Sequence, residues 1–181
     1  MKKVLRDYLF LFPISGTIIL LDQITKTLVR TNLAQGEAWS PWTWLMPYAR
    51  IVHWYNTGVA FGMLQGQNLI FTILAVVIAA AIVYYYPKFS KEDWPLRLAL
   101  ALQFGGAIGN LIDRITLGHV TDFISLGNFA VFNIADGSIT VGVFVMILGI
   151  WWKDRQETGN TDQLIKDDSG QSVGQSSLPK K

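Results

Sequence analysis

Four aspartates and three asparagines collect near the ends of apolar runs: Asp22 in LDQITK, Asn56 in YNTG, Asn110 and Asp113 in GNLIDR, Asp122 in HVTDF, and Asn133 and Asp136 in FNIAD. Lys26 and Arg114 stand among them. A carboxylate at the edge of hydrocarbon is costly, so it is rare there without a task or a partner. Two carboxylates held close cannot both ionise readily and share a proton. One can then deprotonate a water while the other donates to a carbonyl or a leaving amine. That chemistry cleaves an amide with neither metal nor cofactor, and none is expected. The chain has no cysteine, which excludes thiolate catalysis and disulfides. Its two histidines, His53 and His119, lack the spacing of zinc ligands. A net charge of +2 is too small to point to nucleic acid.

Each residue also has a plainer reading. Asn133 and Asp136 stand three apart at the start of an apolar run, the spacing of a capping box, and Asp136 would favour the positive end of the helix dipole there. Asp113 lies where a helix dipole disfavours an acid, so it needs a cation or a donor. Asn110 and Arg114 share a helix face if the helix continues that far. Asp22 and Lys26, four apart with acid before base, have the spacing of a structural pair. Gly58 and Gly62 in NTGVAFG permit either a turn or a close substrate approach. Gly105 and Gly109 form GxxxG, which favours close helix packing. Asp122 has no evident cap or neighbouring base. Fourteen residues separate it from Asp136, a reach of about 46 Å when extended, so only folding can pair them.

The elements that must position these groups are membrane spans. The chain is 51% hydrophobic and 15% charged, and its apolar residues gather into runs near the length of about 20 that crosses a bilayer. Four helical spans are expected at about 8–28, 69–86, 94–112 and 134–152 within a membrane domain of residues 1–155, because backbone in hydrocarbon must satisfy its own polar groups. Lys2, Lys3 and Arg6, then Lys88, Lys91 and Arg97, then Lys153 and Arg155 flank one side. This places both termini in the cytoplasm and the polar residues at the extracytoplasmic face. The first span has a basic start and an apolar run like a signal peptide's, but no small-residue cleavage site, and is read as retained. Residues 156–181 are polar and are expected to form a disordered cytoplasmic tail. In the 32–68 loop, Trp39, Trp42, Trp44 and Trp54 fit either an anchoring belt or a platform on the outer leaflet. A short strand is expected around Arg50–Asn56.

The stretches DQITK, NTGVAFG, GGAIGNLIDR, GHVTDF and FNIAD, in that order over four spans, resemble lipoprotein signal peptidase (signal peptidase II), the bacterial membrane aspartyl protease family. The resemblance covers roughly residues 5–152. It implies a mainly α integral membrane fold of four transmembrane helices with a small extracytoplasmic β-sheet cradle, set in the bacterial inner membrane. It further implies cleavage of diacylglyceryl-modified prolipoproteins just before the lipidated cysteine, and inhibition by globomycin. The family's catalytic aspartates match Asp122 and Asp136. Its substrate-binding or supporting residues match Asn56, Asn110, Asp113, Arg114 and Asn133, and further Asp22 and Lys26; Gly58, in the same NTG as Asn56, is counted with them as a supporting residue. Thr121 departs from the family's usual valine and Ala130 from a frequent proline.

The alternative is a proton- or cation-coupled small membrane transporter, since intramembrane carboxylates also mark ion pathways. It would place acids near mid-membrane, whereas these gather at one face. A non-enzymatic assembly subunit leaves Asp122 and Asp136 unexplained. A serine–lysine peptidase lacks a serine partner for Lys26.

Overall fold

A computed structural model describes the backbone of residues 2–58 and 66–173, with side chains described for 7–58 and 66–156. Gly62 and residues 174–181 lie outside that range. The order of elements is α1 (Lys2–Asn32), β1 (Ala38–Trp39), β2 (Ala49–Asn56), α2 (Asn68–Tyr85), α3 (Trp94–Leu117), β3 (Val120–Leu126) and α4 (Ile134–Val173). Each of the four helices contains a stretch long and apolar enough to cross a membrane. The chain is thus a mainly α multi-pass membrane protein with a small three-stranded antiparallel sheet, ordered β1-β2-β3.

Several boundaries differ from expectation. The third helix runs five residues beyond Ile112 and ends where Gly118 takes a left-handed conformation (φ 78°), a stop that glycine adopts without a Cβ penalty. Asp113 and Arg114 therefore lie on the helix rather than after it. Asp122 is on a strand, not in a loop. The fourth helix continues past Gln156 to Val173, through a segment whose composition predicts disorder; no proline interrupts it. The expected strand near Arg50–Asn56 is β2.

The bundle is built around α3. Its apolar window is 61% buried, against 17% to 22% for the other three spans, and α1, α2 and α4 all pack on it. Glycines permit this crowding. A Cβ on Gly105 would come within 2.9 Å of Ile18 on α1, and one on Gly109 within 2.8 Å of the Asp22 carboxylate. Gly106 faces α4, where a Cβ would collide with the Ala135 carbonyl and the Ser138 hydroxyl. The GxxxG pair therefore seats α1, and the glycine inside it seats α4.

The sheet docks where α1, α3 and α4 meet. Trp54 on β2 faces Asp122 on β3, after a register shift between Ile51 and Trp54. Phe132, just before α4, hydrogen-bonds along β3: its N–H donates to the Ile124 carbonyl at 3.1 Å, and its own carbonyl accepts from the Phe123 and Ile124 N–H groups. That zipper carries the start of α4 alongside Asp122.

Gly106→Val should part α3 from α4 and cost about 1–3 kcal/mol, read as a lowered Tm of the detergent-solubilised protein. Gly16→Ala, where a Cβ meets nothing within 4 Å, should leave Tm unchanged or slightly raised by the better helix former.

Candidate active site

The site begins with a lysine buried in the bundle. Lys26 on α1 is fully buried, and its ammonium has three acceptors for its three protons. Asp22 lies at 2.8 Å and Asp113 at 3.3 Å, and the Asn110 Oδ1 accepts at 2.9 Å. A buried cation persists only when paired and hydrogen-bonded in this way. Its partners reach onward. The other oxygen of Asp22 accepts the backbone N–H of Ala135 at 3.0 Å, in the first turn of α4. Asp113 accepts the Thr121 N–H of β3 at 2.9 Å. The lysine cluster thus joins α1 to α3, α4 and β3.

Asn110 and Asn133 carry the order outward to two aspartates. With its oxygen committed to Lys26, the Asn110 amide must turn its Nδ2 to Asp136, at 2.7 Å. The Asn133 Nδ2 donates to the Asn110 Oδ1 at 3.1 Å and to the Asp122 Oδ1 at 2.7 Å. The Asn133 Oδ1 accepts the Asp136 N–H at 2.9 Å, and its backbone N–H donates to the Asp136 carboxylate at 3.3 Å. The expected capping box is therefore present, and Asp136 still meets Asn110. Asn133 touches both carboxylates, Asp122 from the strand and Asp136 from the helix.

The second oxygen of Asp122 accepts from the Asn56 Nδ2 at 2.8 Å. The Gly58 N–H donates to the Asn56 Oδ1 at 3.0 Å, which fixes that amide in a turn. Asp122 is almost fully buried. Burial first, then the neighbouring Asp136, pushes its carboxyl up to about 7, against the opposing pull of Asn56 and Asn133. A carboxyl raised in this way by burial and by a neighbouring acid is suited to proton transfer near neutral pH.

Folding brings together Asp22, Lys26, Asn56, Asn110, Asp113, Asp122, Asn133 and Asp136. Gly58 stands one shell out. Arg114 lies apart from Asp113, its guanidinium over the Phe71 ring of α2 at 5.6 Å; the cations at Asp113 come instead from α1, Lys26 and, at 3.5 Å, Arg30. Two contributors escape the sequence reading. Gln23 donates to the Gly109 carbonyl at 3.0 Å and to Asp113 at 3.2 Å. Arg30 donates to the Thr121 hydroxyl at 3.2 Å, a contact that valine could not make. Arg30 follows Asp22 and Lys26 at steps of four, a signal that marks one helix face. Among the described residues, no cluster of three or more metal-ligating side chains occurs. A cavity of about 810 Å³ beside Trp94, Leu98, Leu148 and Gly149 holds none of these groups and opens between the start of α3 and the middle of α4.

A multi-pass helical bundle thus carries two neighbouring carboxylates on a shared asparagine, an arrangement capable of hydrolytic chemistry. The family model for signal peptidase (SPase) II matches residues 14–152, and the chain belongs to that family. It is similar to the lipoprotein signal peptidase of Shouchella clausii (strain KSM-K16), 40% identical over 80% of this chain and 94% of that one. That of Bacillus pumilus (strain SAFR-032) is 40% identical over 77% and 91%, and that of Staphylococcus aureus (strain JH9) 35% over 74% and 82%. Two solved structures, each described as a bacterial membrane enzyme, superpose with TM-scores of 0.70 and 0.69 at 30% and 33% identity. They cover 94% and 77% of this chain and 93% and 90% of theirs. Transport finds no support among these relatives.

Two outcomes are expected. Lys26→Met leaves Asp22 and Asp113 buried without their cation and should cost about 3–5 kcal/mol, seen as a large fall in Tm. Because the folded-state pKa of Asp122 is raised from 3.8 to about 7, its contribution to stability is full below the unfolded value and is lost as pH rises through about 7. Asp122→Asn should therefore be more stable than wild type at pH 8, by on the order of a few kcal/mol, with the gap closing toward pH 4 in Tm measured against pH.

Proposed function

We propose that this chain is an aspartic endopeptidase that removes the signal peptide of diacylglyceryl-modified prolipoproteins just before the lipidated cysteine, with Asp122 and Asp136 as its catalytic pair. The observation that carries the reading is the contact of Asn133 with both carboxylates. Family membership and the named relatives support the substrate class.

The pair holds one proton between its two carboxylates and titrates as a unit. The ionised member takes a proton from a water, whose oxygen adds to the scissile carbonyl carbon. The protonated member donates to the carbonyl oxygen. The tetrahedral intermediate then collapses: a proton passes to the amide nitrogen, the C–N bond breaks, and the signal peptide leaves with a new carboxylate. The lipidated cysteine keeps a free amine. Asn56, Asn110 and Asn133 hold the two carboxylates in place, and Gly58 holds Asn56. Lys26, Asp22 and Asp113 form the frame behind them, and Arg114 faces a polar part of the substrate from the end of α3.

The basic flanks of the spans support cytoplasmic termini and an extracytoplasmic site in the bacterial inner membrane. The exposed rings of Trp39, Trp42, Trp44 and Trp54 would rest on the outer leaflet, so that membrane lipids form part of the substrate's surroundings. A globomycin-type inhibitor would compete for the same place.

With a diacylglyceryl prolipoprotein in liposomes, wild type should cleave, and Asp122→Asn and Asp136→Asn should each lose at least about a thousandfold in kcat/KM while remaining folded. Folded variants that cleave at the wild-type rate would remove the pair from the mechanism.

A further inference from the structure

Gln103 has no part in the frame described above. It lies on α3, in the apolar stretch of that span, and its side-chain Nε2 is buried with no hydrogen-bond partner among the described residues. An amide donor left unpaired in an apolar surrounding is destabilising, and leucine would serve packing there better. Gln103 precedes Asn110 by seven residues and Arg114 by eleven, spacings of about two and three helical turns, so the three share one face.

That face is the floor of a lateral cleft. The helices α2 and α4 both pack on α3 yet barely touch each other. Arg114 meets Phe71 of α2 at the cleft's upper end, and Asn110 meets Asp136 of α4 beside it. Deeper down, a Cβ on Gly142 of α4 would come to 2.9 Å from the Gln103 Cγ, so glycine there leaves the glutamine its room.

We infer that Gln103 is a substrate-positioning residue, donating its unpaired amide hydrogen to a backbone carbonyl of the signal peptide lying in this cleft. The inference rests on the proposed peptidase reading. A peptide must be extended to be cut, and extended backbone in hydrocarbon has unpaired carbonyls that need donors. Seven helical residues rise about 10.5 Å, and an extended chain covers about 3.3 Å per residue. The carbonyl that Gln103 meets is therefore about three residues before the scissile bond.

Steady-state kinetics on a diacylglyceryl prolipoprotein test this with wild type and Gln103→Leu. The variant should raise KM about three- to tenfold, the worth of one neutral hydrogen bond, with kcat within about twofold and Tm unchanged or higher. Substrates carrying a backbone ester in place of the second, third or fourth peptide bond before the cleavage site present a weaker acceptor carbonyl. At one of these positions the ester should weaken wild type but not Gln103→Leu. An unchanged KM, or ester and variant losses that multiply at every position, overturns the contact while leaving the peptidase reading intact. A wild type that does not cleave the lipidated substrate overturns both.

Discussion

One buried ammonium group organises the polar end of this bundle. Lys26 has no water to solvate it, so its charge must be balanced by protein, and the nearest acids come from α1 itself and from α3. Neutralising it forces α1 against α3. The other oxygen of Asp22 then accepts the start of α4, and the Asp113 oxygen that meets Lys26 also accepts the start of β3. Replacing the cluster by well-packed apolar residues would be tolerable for stability alone. What the cluster adds is direction: each polar atom has one place to point, and the asparagines inherit that constraint.

The paired aspartates are held by neutral amides rather than by cations. A lysine or arginine directly on Asp122 or Asp136 would favour full ionisation and suppress proton sharing. The described contacts instead put Asn56 and Asn133 on Asp122, and Asn110 and Asn133 on Asp136. The Lys26 ammonium stands one amide away, on the far oxygen of Asn110. This arrangement keeps both carboxylates oriented while leaving Asp122 near the point where a proton can move at neutral pH.

The spans, and the chemical residue types at their ends, were legible because hydrophobic runs and charge placement obey strong rules in membranes. The Asp22–Lys26 pair and the Asn133–Asp136 cap were legible because both are local, set by helical periodicity. The strand identity of Asp122 was not, since VTDFISL alternates weakly and is buried on nearly every residue. Nor was the partner of Asp113: Arg114 is adjacent in sequence, but the helix turns it about 100° away, and Lys26 arrives from another helix. Contacts such as Gln23 to Gly109 depend on how closely two backbones approach, which glycine spacing hints at without saying which side chain fills the gap.

The working residues are distributed so that no contiguous piece of the chain contains them. Lys26 comes with the first span, Asn56 with the sheet, Asn110 with the third span, Asp122 with the last strand and Asp136 with the fourth helix. During synthesis and insertion these arrive in sequence, and the network closes only when the final helix takes its place. A nascent or truncated chain that stops before Asn133 lacks Asp136 and Asn133 together, and so has neither the second acid nor the amide that ties it to the first. On the proposed reading, proteolytic capacity would therefore emerge only with the last step of assembly.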